Sequence, residues 1–131
     1  QVAWLEYPEH ARWFNRPAAV FRAWSFLETR PGAVIVSDDA WTNVWTPAWT
    51  GRRAWVGHNH ETPDYKNKVA IWKELFTARE RDSVRFTLQT IPVTDILLTS
   101  QASGKRMLEM TEGEGWDKVF EDGEVMVLEK K

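Results

Sequence analysis

Polar side chains that could do chemistry concentrate in one short segment, His58-Asn59-His60-Glu61. The segment follows a short strand predicted at residues 53–56 and precedes a predicted helix. A polar loop between the end of a strand and the N-terminus of a helix is where open α/β sheets commonly bind ligands. We therefore predict that these four residues contact a ligand.

Two histidines in this loop suggest a metal site as one use of the segment. His58 and His60 alternate, so an extended segment would point them to opposite sides, and only a bent loop would bring both to one ion. Capping and loop hydrogen bonds are the commoner use of such side chains, so we predict no metal and no other cofactor. A small metal-dependent hydrolase remains an alternative, with its third ligand taken from Glu61, Asp38, Asp39 or Asp64.

Motifs for nucleophilic catalysis and for phosphate loops are absent from the sequence. It contains no G-x-S-x-G, no G-x-G-x-x-G and no G-x-x-x-x-G-K-[ST]. Ser37, Asp38 and His58 could be grouped by folding, but an Asp-rich loop after a strand more often caps a helix. We predict no catalytic residue. Arg52 and Arg53 are adjacent cations that could meet a phosphate, and Arg52 is one of the predicted ligand-binding residues.

Tryptophan is the most unusual feature of the composition, with nine in 131 residues. Trp41, Trp45 and Trp49 recur at every fourth position, so a helix would carry all three on one face. The flat indole suits stacking on a sugar or contact with a membrane interface, and we predict these three as further ligand-binding residues. In the commoner arrangement, two of the three would lie in the core.

The elements that must position these residues alternate between helix and strand. We expect a lead-in segment at residues 1–16 with at most one helical turn, and then an amphipathic helix from Pro17. Buried strands are predicted at 33–36, 53–56 and 94–99, and Pro47 predicts that the helix carrying the tryptophans is short and irregular. The first helix has its apolar stripe at Val20, Phe21, Trp24 and Leu27.

The second half of the chain continues the alternation. We predict a helix that starts at Pro63 and is capped by Thr62, a helix capped by Asp82, and a short helix at 105–111. Asp122-Gly123 predicts a closing hairpin of edge strands. The fold class is therefore α/β, with a three-layer open sheet, central parallel strands and a C-terminal antiparallel hairpin. The helix from Pro63 has the stripe Tyr65, Val69, Trp72 and Phe76.

Length and charge exclude several classes of protein. A chain of 131 residues predicts a single α/β domain, and a net charge of −2 with interspersed signs predicts no nucleic-acid partner. No apolar run approaches the roughly 20 residues that span a bilayer, so the chain is expected to be soluble. Because it begins at Gln1, we expect a fragment of a longer protein.

The segment around residue 50 resembles a known family. Residues 47–58, PAWTGRRAWVGH, followed by Thr62, Pro63 and Lys68, resemble the pattern P-A-x-T-G-R … G-H … T-P … K after the last membrane helices of polytopic C-type (GT-C-like) glycosyltransferases. Segments at 33–37, 93–98 and 116–128 resemble strands of that class, and the resemblance covers about residues 17–128. The chain departs from the family pattern at Asp95, where an aromatic is common, and at Trp41, Trp45 and Trp55, where smaller residues are usual.

The resemblance implies a soluble, non-catalytic, extracytoplasmic C-terminal domain of a membrane glycosyltransferase-like protein. Such a domain would contribute to recognition of an acceptor or a lipid-linked sugar donor, or to stability. Its partner would be the transmembrane part of the same polypeptide, and its location the extracytoplasmic face of the cell membrane. The alternative is a free-standing carbohydrate- or small-ligand-binding α/β module that uses the tryptophans and the loop at 58–61.

Overall fold

Helix and strand alternate along the chain, as the apolar spacing predicts. The computed structural model describes the backbone of residues 8–131 and the side chains of residues 18–131. The described elements are α1 (Pro8–Glu28), β1 (Val34–Ser37), α2 (Ala40–Thr50), β2 (Arg53–Ala54), α3 (Tyr65–Thr77), α4 (Arg81–Thr90), β3 (Asp95–Leu98), α5 (Gln101–Thr111), β4 (Trp116–Asp122) and β5 (Val125–Lys130).

The strands form one sheet in the order β2-β1-β3-β5-β4. Strands β2, β1 and β3 are parallel, β5 runs antiparallel to β3, and β4 runs antiparallel to β5. The closing hairpin is confirmed, and its turn contains Gly123 at φ 61°, a backbone conformation that favours glycine. Both hairpin strands were expected at the edge, but of the two only β4 lies there, because β5 pairs between β3 and β4; β2 forms the opposite edge.

Helices cover both faces of the sheet, which confirms the three-layer α/β class. Successive strand side chains point to opposite faces, so Leu97 packs in the cluster with α1 while Leu98 packs in the cluster with α3, α4 and α5. Helix α2 contacts α1, β1 and β2 and therefore lies on the α1 side. The predicted stripe of α3 packs against the second cluster through Tyr65, Val69, Trp72 and Phe76.

Helix α1 is longer than predicted, because it begins at Pro8 rather than at Pro17. The prediction of at most one helical turn in the lead-in is therefore wrong for residues 8–16, which are helical throughout, and the rest of that prediction lies outside the described residues. Apolar spacing reports which face of a helix is buried, so it cannot mark a helical extension without an apolar stripe. Among the described helices, none is long and apolar enough to cross a membrane.

Three predicted helix starts are also shifted. Helix α3 begins at Tyr65, because the Thr62 hydroxyl accepts from the Gly57 N–H at 3.1 Å instead of capping the helix. Glu80 occupies the N-cap position of α4 without a side-chain capping hydrogen bond, and Asp82 lies inside the first turn, so the predicted Asp82 cap is wrong. Helix α5 begins earlier, since the Ser100 hydroxyl accepts from the Ser103 N–H at 3.2 Å.

Candidate functional site

Helix α2 buries its polar side and exposes its apolar side. Its buried residues are all polar and lie along one narrow stripe, whereas its exposed residues are all apolar and span an arc of about 200°. The buried set is Thr42, Asn43, Thr46 and Thr50, and the exposed set is Ala40, Trp41, Val44, Trp45, Pro47, Ala48 and Trp49. A helix that only needed to fold against the sheet would show the opposite arrangement.

The buried polar stripe of α2 is stable because each hydroxyl has a partner. The Thr46 hydroxyl donates to the Thr42 carbonyl and the Thr50 hydroxyl to the Thr46 carbonyl, both at 2.7 Å. Asp39 caps the helix and accepts from the Thr42 N–H at 2.9 Å and from its hydroxyl at 2.8 Å. Buried polar groups that are paired in this way cost little, so the exposed tryptophans are not forced outward by an unsatisfied interior.

Two of the exposed tryptophans of α2 rest on a buried aromatic ring of α1. Trp24 is 1% exposed and donates its indole N–H to the Thr46 hydroxyl at 3.0 Å. The Trp41 and Trp49 rings stack on Trp24 with centroids 6.2 Å away, and Phe21 meets Trp49 edge-on at 4.8 Å. We call Phe21 and the exposed residues of α2 the aromatic face.

The three tryptophans of α2 are exposed by 51% (Trp41), 45% (Trp45) and 52% (Trp49). The expectation that two of them belong to the core is therefore wrong. Helix α2 reaches the core through its threonines and through contact with Trp24, so its own tryptophans are not needed there. Exposed aromatic surface of this extent commonly marks an interaction site.

A cleft of about 340 Å³ adjoins the end of α2, and we call it the basic cleft. Arg52, Arg53 and Lys68 line it, and within the described residues none of the three makes a salt bridge. Glu61 also lines it, so the lining side chains carry three positive charges against one negative charge. The remaining lining residues are Pro47, Gly51, Ala54, Trp55, Thr62 and Pro63.

Two of these cations are held in place. The Arg52 side chain donates from one terminal nitrogen to the Glu28 carbonyl at 2.5 Å, and its backbone N–H donates to the Thr50 hydroxyl at 3.0 Å. The buried Nε of Arg52 has no hydrogen-bond partner among the described residues. Lys68 Nζ lies 5.7 Å from the centre of the Trp55 ring, a favourable cation–π distance. The cleft therefore presents fixed positive charge.

The predicted loop at residues 58–61 is a compact exposed turn. The His58 carbonyl accepts from the N–H groups of Glu61 and Thr62 at 3.1 and 3.0 Å, and His58 Nδ1 accepts from the His60 N–H at 3.2 Å. The loop is bent, so the His58 and His60 rings lie 5.1 Å apart. Among the described side chains, no group of three or more His, Cys, Asp or Glu is placed to hold a metal ion.

Internal hydrogen bonds occupy the carboxyl ends of β1 and β3, where parallel sheets commonly bind ligands. Asp38 accepts from the Thr99 N–H at 2.9 Å, from the Thr99 hydroxyl at 3.0 Å and from the Ser103 hydroxyl at 2.6 Å. Asn43 bonds both the N–H and the carbonyl of Ser37. Ser37 and Asp38 therefore hold the end of β1 against neighbouring elements. The described hydrogen bonds do not join either residue to His58.

The structure separates the eight predicted ligand-binding residues into three places. Trp41, Trp45 and Trp49 share the aromatic face; Arg52 and Glu61 share the basic cleft; His58, Asn59 and His60 lie on the exposed turn beside it. Sequence reasoning left out Phe21, Arg53 and Lys68 as site residues. A signal for the cleft was present, since Arg52 and Arg53 are the only Asp, Glu, Lys or Arg residues between positions 40 and 60.

Comparison with known proteins gives a fold likeness. No protein-family model matches the chain, and no curated protein resembles it in sequence. Among solved structures, it is similar to the crystal structure of the C-terminal globular domain of an oligosaccharyltransferase from Archaeoglobus fulgidus. The TM-score is 0.57 at 11% sequence identity, and the match covers 84% of this chain and 95% of that chain. At this identity the likeness shows a shared fold.

Proposed function

We propose that residues 1–131 form one α/β domain of a longer membrane glycosyltransferase-like polypeptide, on the extracytoplasmic face of the cell membrane. The observation that carries this proposal is the fold likeness to an oligosaccharyltransferase domain, which extends over 95% of that domain. The sequence pattern at residues 47–68 supports it independently, because it resembles the segment that follows the membrane helices of such transferases. In this proposal the domain is not catalytic by itself.

The role of the domain is recognition or support at a catalytic centre that lies in the transmembrane part. The basic cleft supplies the charge that a phosphate-bearing, lipid-linked sugar donor would need. The exposed turn adds hydrogen-bonding groups suited to sugar hydroxyls, from His58, Asn59 and His60. Glu61 connects the two, since it belongs to the turn and also lines the cleft.

The native polypeptide tests this proposal directly. An antibody raised against the chain should detect a protein much larger than 15.3 kDa that stays in the membrane fraction after alkaline extraction. In intact cells or spheroplasts, external protease should reach the domain. A polypeptide of the chain's own mass, recovered without membranes, would contradict the proposal.

A contribution to transfer requires a second measurement. Deletion of the domain from the membrane protein should lower glycan transfer, and Arg53→Gln should raise the KM for the lipid-linked donor more than it lowers kcat. Lys105→Gln is a matched control, because Lys105 is an exposed cation of α5 that does not line the cleft. Equal effects of the two substitutions would contradict a role for the cleft.

A free-standing carbohydrate-binding module is the second candidate, and the half-exposed tryptophans of α2 favour it. Sugar rings stack on indole faces, so a glycan that binds should quench or shift the tryptophan fluorescence. Titration with a broad glycan panel tests this candidate, with Trp45→Gln as the variant that should lose the signal. A panel without any response would exclude it.

A further inference from the structure

We propose that the aromatic face and the rim of the basic cleft together dock this chain on an anionic phospholipid surface. The tryptophans would enter the boundary between headgroups and acyl chains, and the cations would meet headgroup phosphates. This inference goes beyond the proposed function and does not rest on it, because it is argued only from the surface of the chain.

The two features are continuous on the molecule. Pro47 belongs to the exposed arc of α2 and also lines the cleft, and Gly51 ends the helix at the cleft wall. Gly51 has φ 66°, a left-handed conformation that turns the chain sharply into Arg52 and Arg53. One approach direction can therefore bring both the indoles and the guanidinium groups to a flat surface.

The composition of the aromatic face fits a bilayer interface. Tryptophan is enriched where membranes meet water, because its ring is apolar and its N–H is polar. Residues 40–50 contain no charged side chain, and the exposed arc of α2 contains no polar side chain. A helix with an apolar face flanked by cations is the arrangement that lies in the plane of a membrane surface.

Charge selects the lipid over other occupants. Arg52, Arg53 and Lys68 are unpaired within the described residues and complement anionic headgroups. The two carboxylates that precede α2, Asp38 and Asp39, already accept hydrogen bonds inside the molecule, so they are poor partners for these cations in a second copy of the chain. A sugar would need several polar partners for its hydroxyls, and the side chains on the exposed arc of α2 offer only indole N–H groups.

The test is co-sedimentation of the chain with vesicles of phosphatidylcholine alone and of equimolar phosphatidylcholine and phosphatidylglycerol. We expect binding to the anionic vesicles and quenching of tryptophan fluorescence by brominated acyl chains. Trp45→Gln should weaken binding about tenfold, since an exposed indole loses its apolar burial. Arg53→Gln should weaken it about fivefold, the contribution of one cation near an anionic surface.

The controls lie on α4 and α5, outside the proposed surface. Phe86 of α4 is 67% exposed, so Phe86→Gln removes an exposed aromatic without touching the proposed surface, and Lys105→Gln does the same for a cation. Trp45 contacts neither Trp24 nor Phe21 among the described ring pairs, so Trp45→Gln should leave the unfolding midpoint near that of the parent chain.

Several outcomes would overturn the proposal. These are no binding to anionic vesicles, binding that Phe86→Gln weakens as much as Trp45→Gln, and binding that inorganic phosphate alone abolishes without any quenching by brominated lipid. A dimer in sedimentation equilibrium that Trp45→Gln dissociates, with no vesicle binding, would assign the face to a second copy instead. The antibody and protease experiments of the proposed function give their answers independently of each of these results.

Discussion

Trp24 connects the interior of the protein with its exposed aromatic rings. It is buried, two exposed tryptophans stack on it, and its indole N–H has one described acceptor, the Thr46 hydroxyl at 3.0 Å. Thr46→Val keeps the side-chain shape but leaves that N–H unpaired. We expect the free energy of unfolding to fall by about 1–3 kcal/mol, measured by urea denaturation.

Thr111→Val is the matched control for this substitution. Thr111 is also a buried helical threonine, 2% exposed, and its hydroxyl donates to the Met107 carbonyl at 2.7 Å. Loss of this hydroxyl leaves no N–H group without an acceptor, so the free energy of unfolding should fall by less than about 1 kcal/mol. Equal costs for the two substitutions would contradict the importance of the Trp24 hydrogen bond.

Arg30 neutralises the buried carboxylate of β3. Its Nε donates to Asp95 Oδ2 at 2.9 Å, and another guanidinium nitrogen lies 2.6 Å from Glu129 Oε1. The hydrogen bond that Arg30 donates to Glu129, reinforced by the charge of Asp95, raises the pKa of Arg30 above its ordinary value. Asp95 is fully buried, and this pairing explains how the sheet tolerates a carboxylate there.

Arg30→Met should therefore lower the free energy of unfolding by about 3 kcal/mol, because it leaves a buried charge without its cation. The double variant Arg30→Met with Asp95→Asn should recover part of that loss, since the amide carries no charge. Chemical denaturation of both single variants and the double variant closes the cycle. A double variant no more stable than Arg30→Met would show that the charge is not the cause.

At the scale of elements, an exposed ion pair joins α1 to the edge strand β4. Arg22 donates a hydrogen bond to Asp122, which lowers the pKa of that carboxyl below its ordinary value. A lowered folded-state pKa adds stability above the unfolded-state pKa of about 3.9, and this stability is lost as the pH falls through the folded-state pKa. The pair is exposed, so its contribution is small.

Asp122→Asn should therefore flatten the dependence of the urea midpoint on pH below about 4 and change little near neutral pH. Arg22→Gln removes the same pair from the other side and should produce the same flattening. If Asp122→Asn keeps the acid slope of the parent chain, the pair does not supply that part of the pH dependence.

The elements that the sequence predicts well are those whose apolar residues face the core. The buried strands β1 and β3, the stripe of α3 and the Asp-Gly hairpin follow from spacing and turn chemistry, and each is present. Helix starts were predicted less well, because Thr62, Asp82 and Ser100 all can cap, and tertiary contacts decide which one does. The position of β5 inside the sheet depends on long-range pairing that local patterns do not carry.

The candidate site was predicted only in part, because it too depends on contacts between elements that are distant in sequence. The spacing of Trp41, Trp45 and Trp49 predicts a shared face, but spacing alone does not say whether that face is buried. Whether the face is buried depends on α1, because Trp24 already fills the space beneath α2 and donates a hydrogen bond to Thr46 of its buried polar stripe. The basic cleft brings Lys68 of α3 and Arg53 of β2 to one cavity, an arrangement of elements that no local pattern specifies.

At the scale of the whole molecule, the sheet contributes one of its faces to each of two apolar clusters. Leu97 and Leu98 are neighbours in β3, both fully buried, and they face opposite clusters. Because each cluster loses its partner surface when the sheet is lost, we expect both halves to unfold as one cooperative unit.

Leu97→Ala and Leu98→Ala should each lower the free energy of unfolding by about 2–5 kcal/mol. In each variant, tryptophan fluorescence and far-UV circular dichroism should give one coincident urea transition with the slope of the parent chain. Native-state hydrogen exchange should then show the protected amides of α1 and α5 destabilised by the same amount in both variants. If Leu97→Ala exposed the amides of α1 while those of α5 stayed protected, the two faces of the sheet would be separate folding units. That result would contradict cooperative unfolding of the two clusters.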